Sequence, residues 1–456
     1  MANKSGAGSE RQRVPQPLIK RRIASGRGAM EQPNATHDGD ASLTPKFWLA
    51  VVLAAVATGL FGAGLMALLQ YVEKLAFSYH GGSYEQAVAA TSNLHRFWSL
   101  VIAGVIGAIG WFLVRRYFSH EKSEIDDALW NGDGELGARR SLATSLISEV
   151  VIGMGASIGR EAAPKLMGGA SASVIANWFG LTTAQKRLLV ACAGGAGLAA
   201  VYNVPLGGAL FTAEIMMGTI TLPVALPALA CSGIATATAW LYLPRHVTYL
   251  GVPAYQFSAP LLVWALVAGP LIGLLGCGYI RLIGWVTHHT VTGKAAMLAP
   301  VVAFGILGLI GFAYPQLFGN GKGMAAGAFL GSGSLGLLLV LAALKPLVTA
   351  LCLGSGASGG LFTPTLSTGA VLGAAAGIAW SLMWPGSPPG AYAVVGAAAM
   401  LGAAMQAPLA GLALMIELTG SGVAILIPMV AATVTATAVV RYIDGYSIYT
   451  ARLRAR

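Results

Sequence analysis

The sequence predicts an all-α polytopic membrane protein, and three observations carry that prediction. Hydrophobic residues make up 56% of the 456 positions, and charged residues only 10%. A soluble domain carries about 25% charged residues. Apolar runs long enough to cross a bilayer as helices recur along the whole chain. The alternating pattern of a membrane β-barrel is absent.

The first run covers 47–71. It follows a polar, Pro-containing tail over 1–45, expected to be disordered, that holds seven Lys or Arg against four acids. Tail and run are both too long for a cleaved signal peptide, so the first span is expected to stay. The net charge of +11 is therefore not a nucleic-acid signal. Basic residues at both ends place both termini in the cytoplasm by the positive-inside rule. Further runs follow at 97–114, 185–201, 222–243, 259–284, 297–313, 334–352, 366–384 and 421–440. Many of the 61 glycines cluster inside these runs, where small residues let helices approach closely. The four cysteines, Cys192, Cys231, Cys277 and Cys352, also lie in apolar runs and read as free structural residues.

Between the long runs lie short apolar segments broken by Gly and Pro, at 141–158, 161–179, 205–217, 361–370, 391–403 and 407–418. Short interrupted helices in matching parts of two halves point to a transporter's binding site. Two of them resemble each other: "NVPLGGALFTAE" (203–214) and "QAPLAGLALMIE" (406–417). Pro205 matches Pro408, and Glu214 matches Glu417.

The stretch "GMGASIGREAAPKLMGGASAS" (153–173) sets Arg160, Glu161 and Lys165 among small and apolar residues. Gly155 and Gly159 permit a bend, and a helix can start near Glu161 with Pro164 in its first turn. Such a start presents free N–H groups and a positive dipole end, which attract an anion. "GSGASGGLFTP" (354–364) has the same logic, with Pro364 close to a second helix start. Two helix starts aimed at one spot would make a dry site that holds a small anion weakly enough to release it. The Glu161 carboxylate can itself fill such a site when ionised and leave it when protonated, which makes it a gate. A structural ion pair of Glu161 with Arg160 or Lys165 is the alternative.

These motifs resemble the CLC family of chloride channels and chloride/proton exchangers. "GREAAP" (159–164) is similar to the family's GREGP signature, and "GGLFTP" (359–364) to its GIFAP-type signature. The two Pro-Leu segments resemble its paired short helices, and "YSIYTARL" (446–453) the segment with its pore tyrosine, here Tyr449. The resemblance covers about 45–453 and implies a transmembrane domain over 46–453. That domain would be two inverted repeats, about 46–250 and 255–453, in a homodimer with one anion pathway per subunit. It implies Glu161 as gate, and backbone N–H groups near Arg160, Glu161, Ala162, Leu361, Phe362 and Thr363 as anion ligands, with the Tyr449 hydroxyl reaching the central site. Chloride or a similar small anion is the implied cargo, protons the possible counter-cargo, and the bacterial inner membrane the location. No cofactor is implied. The absence of a cytoplasmic regulatory domain resembles prokaryotic members.

The sequence departs from the family pattern at three points. GREGP has become GREAAP, with Ala162 for glycine and Pro164 one place late. Where a serine motif should precede "SEIDDAL" (123–129) stands "SHEK" (119–122), with His120 at the serine position and Lys122 in a place to attract anions. The inner proton-transfer glutamate of exchangers is replaced by Ile215, leaving Glu149 or Glu214 as candidate substitutes on a proton pathway from Glu161. A proton-coupled exchanger and a passive channel therefore both stay open. An enzyme is not expected: the GxSxG matches "GASIG" (155–159) and "GASGG" (356–360) have no histidine inside an apolar run to act as base. No metal-site spacing occurs.

Overall fold

The computed structural model describes residues 41–78, 83–121 and 124–453. The expected tail over 1–45 falls almost wholly outside the described residues, and so does Lys122. The described residues form helices joined by short loops, with no strand beyond a single isolated bridge. They are α1 (Pro45–Phe77), α2 (Tyr84–Ala90), α3 (Asn93–Tyr117), α4 (Ile125–Trp130), α5 (Ala138–Gly153) and α6 (Ala162–Trp178). There follow α7 (Thr183–Tyr202), α8 (Pro205–Phe211) with a π turn (Thr212–Met216), α9 (Leu222–Ala239), α10 (Ala259–His288) and α11 (Ala299–Ile310). The last are α12 (Lys322–Phe329), α13 (Leu335–Gly354), α14 (Phe362–Ser381), α15 (Pro389–Met405), α16 (Pro408–Thr419) and α17 (Leu426–Ile443).

Seven helical segments among the described residues are long and apolar enough to cross a membrane: α1, α3, α9, α10, α13, α14 and the segment Val423–Ile443. Their starts are written locally. Thr44, Ser92, Ser258 and Ser334 each accept a hydrogen bond from the N–H three residues on, and Thr182 forms a full capping box with Gln185. Two expectations shift. The short segment expected at 361–370 continues as α14 to Ser381, because the alanines and leucine that follow favour the helix and no proline intervenes before Pro385. The run at 297–313 gives only the twelve residues of α11, which ends at Gly311, four residues before Pro315.

Helix α15 is buried along almost its whole length. It packs against α14 at very short range. A Cβ placed on Gly396 would meet the Gly373 Cα at 2.7 Å, so only glycine allows this approach.

The two Pro-Leu segments share a backbone. Asn203 and Gln406 both adopt left-handed conformations, with φ of 58° and 54°. Val204 and Ala407 follow with φ/ψ of −132°/64° and −138°/76°, and a proline then opens each helix. A glutamate near the end of each segment, Glu214 in the π turn after α8 and Glu417 in the last turn of α16, reaches the other helix's start. Glu214 accepts from the N–H groups of Leu409 and Ala410, at 3.3 and 2.6 Å. Glu417 accepts from those of Leu206 and Gly207, at 3.0 and 2.6 Å. Carboxylates at helix N-termini are stabilised by the free N–H groups and the dipole. The repeat read in the sequence is thus a reciprocal pair of caps.

Candidate functional site: a carboxylate seated on a helix start

The loops before α6 and α14 also match. Gly155 and Gly356 both have positive φ, 117° and 90°, where a side chain would be strained. Four residues later Gly159 and Gly360 pair as an antiparallel bridge, with N–H···O distances of 2.8 and 2.7 Å. That bridge clasps the two helix starts together. Helix α6 begins at Ala162 and α14 at Phe362, and Pro164 and Pro364 are each the third helical residue. Proline fits there because the first turn's N–H groups have no intrahelical partner. Glu161 is the residue just before the start of α6.

The Glu161 carboxylate does not fold back on α6. It crosses to α14, where the Phe362 N–H donates to Oε1 at 2.7 Å. The hydroxyls of Tyr202 and Thr363 lie 3.3 and 3.4 Å from Oε2. The whole group is buried. The alternative of a structural ion pair with Arg160 or Lys165 is not what the structure shows. Lys165 pairs with Asp126 at 3.3 Å, and the Arg160 guanidinium lies over the Tyr202 ring, 5.0 Å from its centre.

Glu161, Ala162, Leu361 and Tyr449 line one cavity of about 970 Å³. The Tyr449 ring stacks edge-on to Phe211, with Lys165 Nζ 4.8 Å above its centre. Four cations, Arg115, Arg140, Lys165 and Arg452, share the lining with four carboxylates, Glu124, Asp126, Asp127 and Glu161. The charges that line this cavity therefore balance.

The remaining sequence candidates fall elsewhere. Glu149 is fully buried in α5, and neither of its carboxylate oxygens has a hydrogen-bond partner among the described residues. The charged groups that act on it are Arg160, Glu161 and Glu73. Glu214 caps α16, as described above. Ile215 is buried in the π turn, and His120 is exposed.

Sequence reading missed two residues. Tyr202 lies one residue before the first Pro-Leu segment, outside every motif read above. Lys345 sits fully buried in α13, where Nζ donates to Ser157 Oγ at 2.8 Å, Gly319 O at 2.9 Å and Leu317 O at 3.4 Å. It pins the loop that leads to Glu161. Its signal was available: one lysine inside an apolar run.

A family model described as voltage gated chloride channel matches residues 106–441. The chain belongs to this family, the CLC family. Among its relatives, a ClcB-like chloride channel protein of Ralstonia nicotianae is 30% identical, over 87% of this CLC chain and 96% of the relative. The H(+)/Cl(−) exchange transporter ClcA of Vibrio campbellii is 29% identical, over 77% and 78%. The fold matches that of a slow cyanobacterial Cl−/H+ antiporter with a TM-score of 0.78, at 24% identity, covering 90% of this chain and 97% of that one. A CLC-type fluoride/proton antiporter aligns with a TM-score of 0.71, at 19% identity, over 90% and 98%. This CLC chain is an integral membrane protein with the helical fold expected from its sequence.

Proposed function

We propose that this CLC protein moves chloride, or a similarly small anion, across the membrane along the path that Glu161 plugs, in exchange for protons. One observation carries the reading: a carboxylate, itself an anion, is seated on the first N–H of α14. What holds a carboxylate there can hold a halide. Protonation of Glu161 neutralises it, weakens its hold on the Phe362 N–H, and frees the position for the anion. The N–H groups around Arg160, Ala162 and Leu361 complete the anion path, and Tyr449 lies along it. Relatives named as H(+)/Cl(−) exchange transporters support the coupling.

An exchanger needs a second proton site, and Ile215 cannot be one. We assign it to Glu149, whose oxygens have no hydrogen-bond partner among the described residues, rather than to Glu214, whose oxygens both accept from α16. A passive channel gated by Glu161 is the second reading, and Ile215 is what favours it.

The two halves, about 46–250 and 255–453, are read as inverted repeats, supported by the reciprocal caps and the Gly159–Gly360 clasp. The cavity is assigned to the cytoplasmic side because Arg452 and Leu453, near the expected cytoplasmic C-terminus, line it. A bacterial inner membrane, a homodimer and transport rather than enzymatic activity complete the reading.

The test is flux from chloride-loaded liposomes containing the purified protein, with external pH recorded and a potassium ionophore present. Chloride efflux with opposed proton movement establishes exchange. Efflux without a proton signal establishes a channel. No efflux of chloride, bromide, nitrate or fluoride refutes anion transport.

A further inference from the structure

Backbone N–H groups are only part of what holds the Glu161 carboxylate. Tyr202 Oη lies 3.3 Å and Thr363 Oγ1 3.4 Å from its Oε2, and the two hydroxyls lie 2.6 Å from each other. They come from different parts of the fold: Tyr202 ends α7, and Thr363 is the second residue of α14. Both are buried, at 2% and 0% exposure, so water does not compete for them. The Tyr202 ring is held between the Phe362 ring, 5.5 Å away, and the Arg160 guanidinium.

Each hydroxyl has one proton. Their mutual bond takes one of the two, and the other remains for a third partner. In this structure that partner is an anionic oxygen. A buried hydroxyl whose anion leaves loses an acceptor, which is unfavourable unless another anion arrives.

We infer that the Tyr202 and Thr363 hydroxyls are side-chain ligands of the transported anion, binding it at this position once the Glu161 carboxylate withdraws, and that they set the preference among anions. The inference rests on the reading of Glu161 as a mobile plug. Two donors fixed by α7 and α14, the Phe362 N–H and the one proton the hydroxyl pair has left, favour a small anion that reaches both, and the second hydroxyl orients the first. A large, diffuse anion such as thiocyanate gains less from the same donors.

The test is chloride and thiocyanate titration by calorimetry on purified protein carrying Glu161→Ala, which vacates the position. Adding Thr363→Val removes one hydroxyl at constant shape, and chloride binding is expected to weaken about tenfold, the effect of one hydrogen bond to a charged group. Thr363→Ser should restore it to within about twofold. Tyr202→Phe should weaken chloride to a similar degree, and thiocyanate should change less in every case. Unchanged chloride binding in both Thr363→Val and Tyr202→Phe overturns the inference, as does Thr363→Ser binding as weakly as Thr363→Val. If Tyr202→Phe does not fold, the Val and Ser variants decide alone. Failure of Glu161→Ala itself to bind chloride overturns the plug reading and this inference together. Normal binding there with no hydroxyl dependence overturns the inference only.

Discussion

Glu161 stands at the meeting of two helices, and its charge decides what occupies that point. Glu161→Gln keeps the shape and removes the anionic form. Anion flux should persist in that variant while proton movement stops; coupled proton movement that survives would refute the gate. Glu149 is a buried carboxyl with no hydrogen-bond partner among the described residues, within the electrostatic influence of Glu161 and Arg160. Glu149→Gln should lower proton flux at least about tenfold and leave chloride flux standing, a loss visible in the same liposome assay. Lys345 has a different task. Its three hydrogen bonds hold the 155–161 and 317–319 loops against α13. Lys345→Met leaves those acceptors buried and unpaired and should destabilise the protein by about 2 kcal/mol. A lowered melting temperature in detergent checks it, and an unchanged one would show that the loop stands without its anchor.

The short helices place these side chains, and their boundaries were legible where the signals are local. Glycine at a bend and proline in a first turn act through the backbone of their own neighbours, so "GASIGREAAP" and "GSGASGGLFTP" could be read directly as helix starts. The roles of Tyr202 and Lys345 could not be read in this way. Tyr202 meets Glu161 across 41 residues and Lys345 meets Ser157 across 188, and only tertiary packing brings such pairs together. The same limit applies to Glu161 itself. The sequence placed it at the start of α6, but the structure shows that α14 holds it. At this scale Gly360 makes the sharpest prediction. A Cβ on Gly360 would collide with the Glu161 carboxylate. Gly360→Ala should therefore expel the plug while Glu161 remains in the sequence. The methyl also takes the space where the anion would sit, so chloride flux and its proton coupling should both fall. Wild-type coupling in Gly360→Ala would mean that the carboxylate need not occupy this position.

Over the whole molecule, the division into spans followed from composition, since a bilayer demands runs of a given length. Which surface faces a partner did not follow, because lipid and a second subunit both accept apolar side chains. The structure adds one discriminating fact. Glu214 and Glu417 are partly exposed beside Leu206 and Leu409, which are 48% and 49% exposed. Lipid is a poor neighbour for two carboxylates, and a second copy of the chain would cover them. Light scattering in detergent should return a protein mass near twice 46.6 kDa. A single-chain mass would assign that face to lipid or to another protein.

The clasp at Gly159 and Gly360 joins two arms whose glycines and prolines recur one residue out of step. Counted from the helix starts, Glu161 on one arm answers to Leu361 on the other. Backbones so nearly alike cannot tell the two arms apart. The difference is written in side chains: the α6 arm carries the ionisable pair Arg160 and Glu161, and "GSGASGGLFTP" on the α14 arm carries no charge.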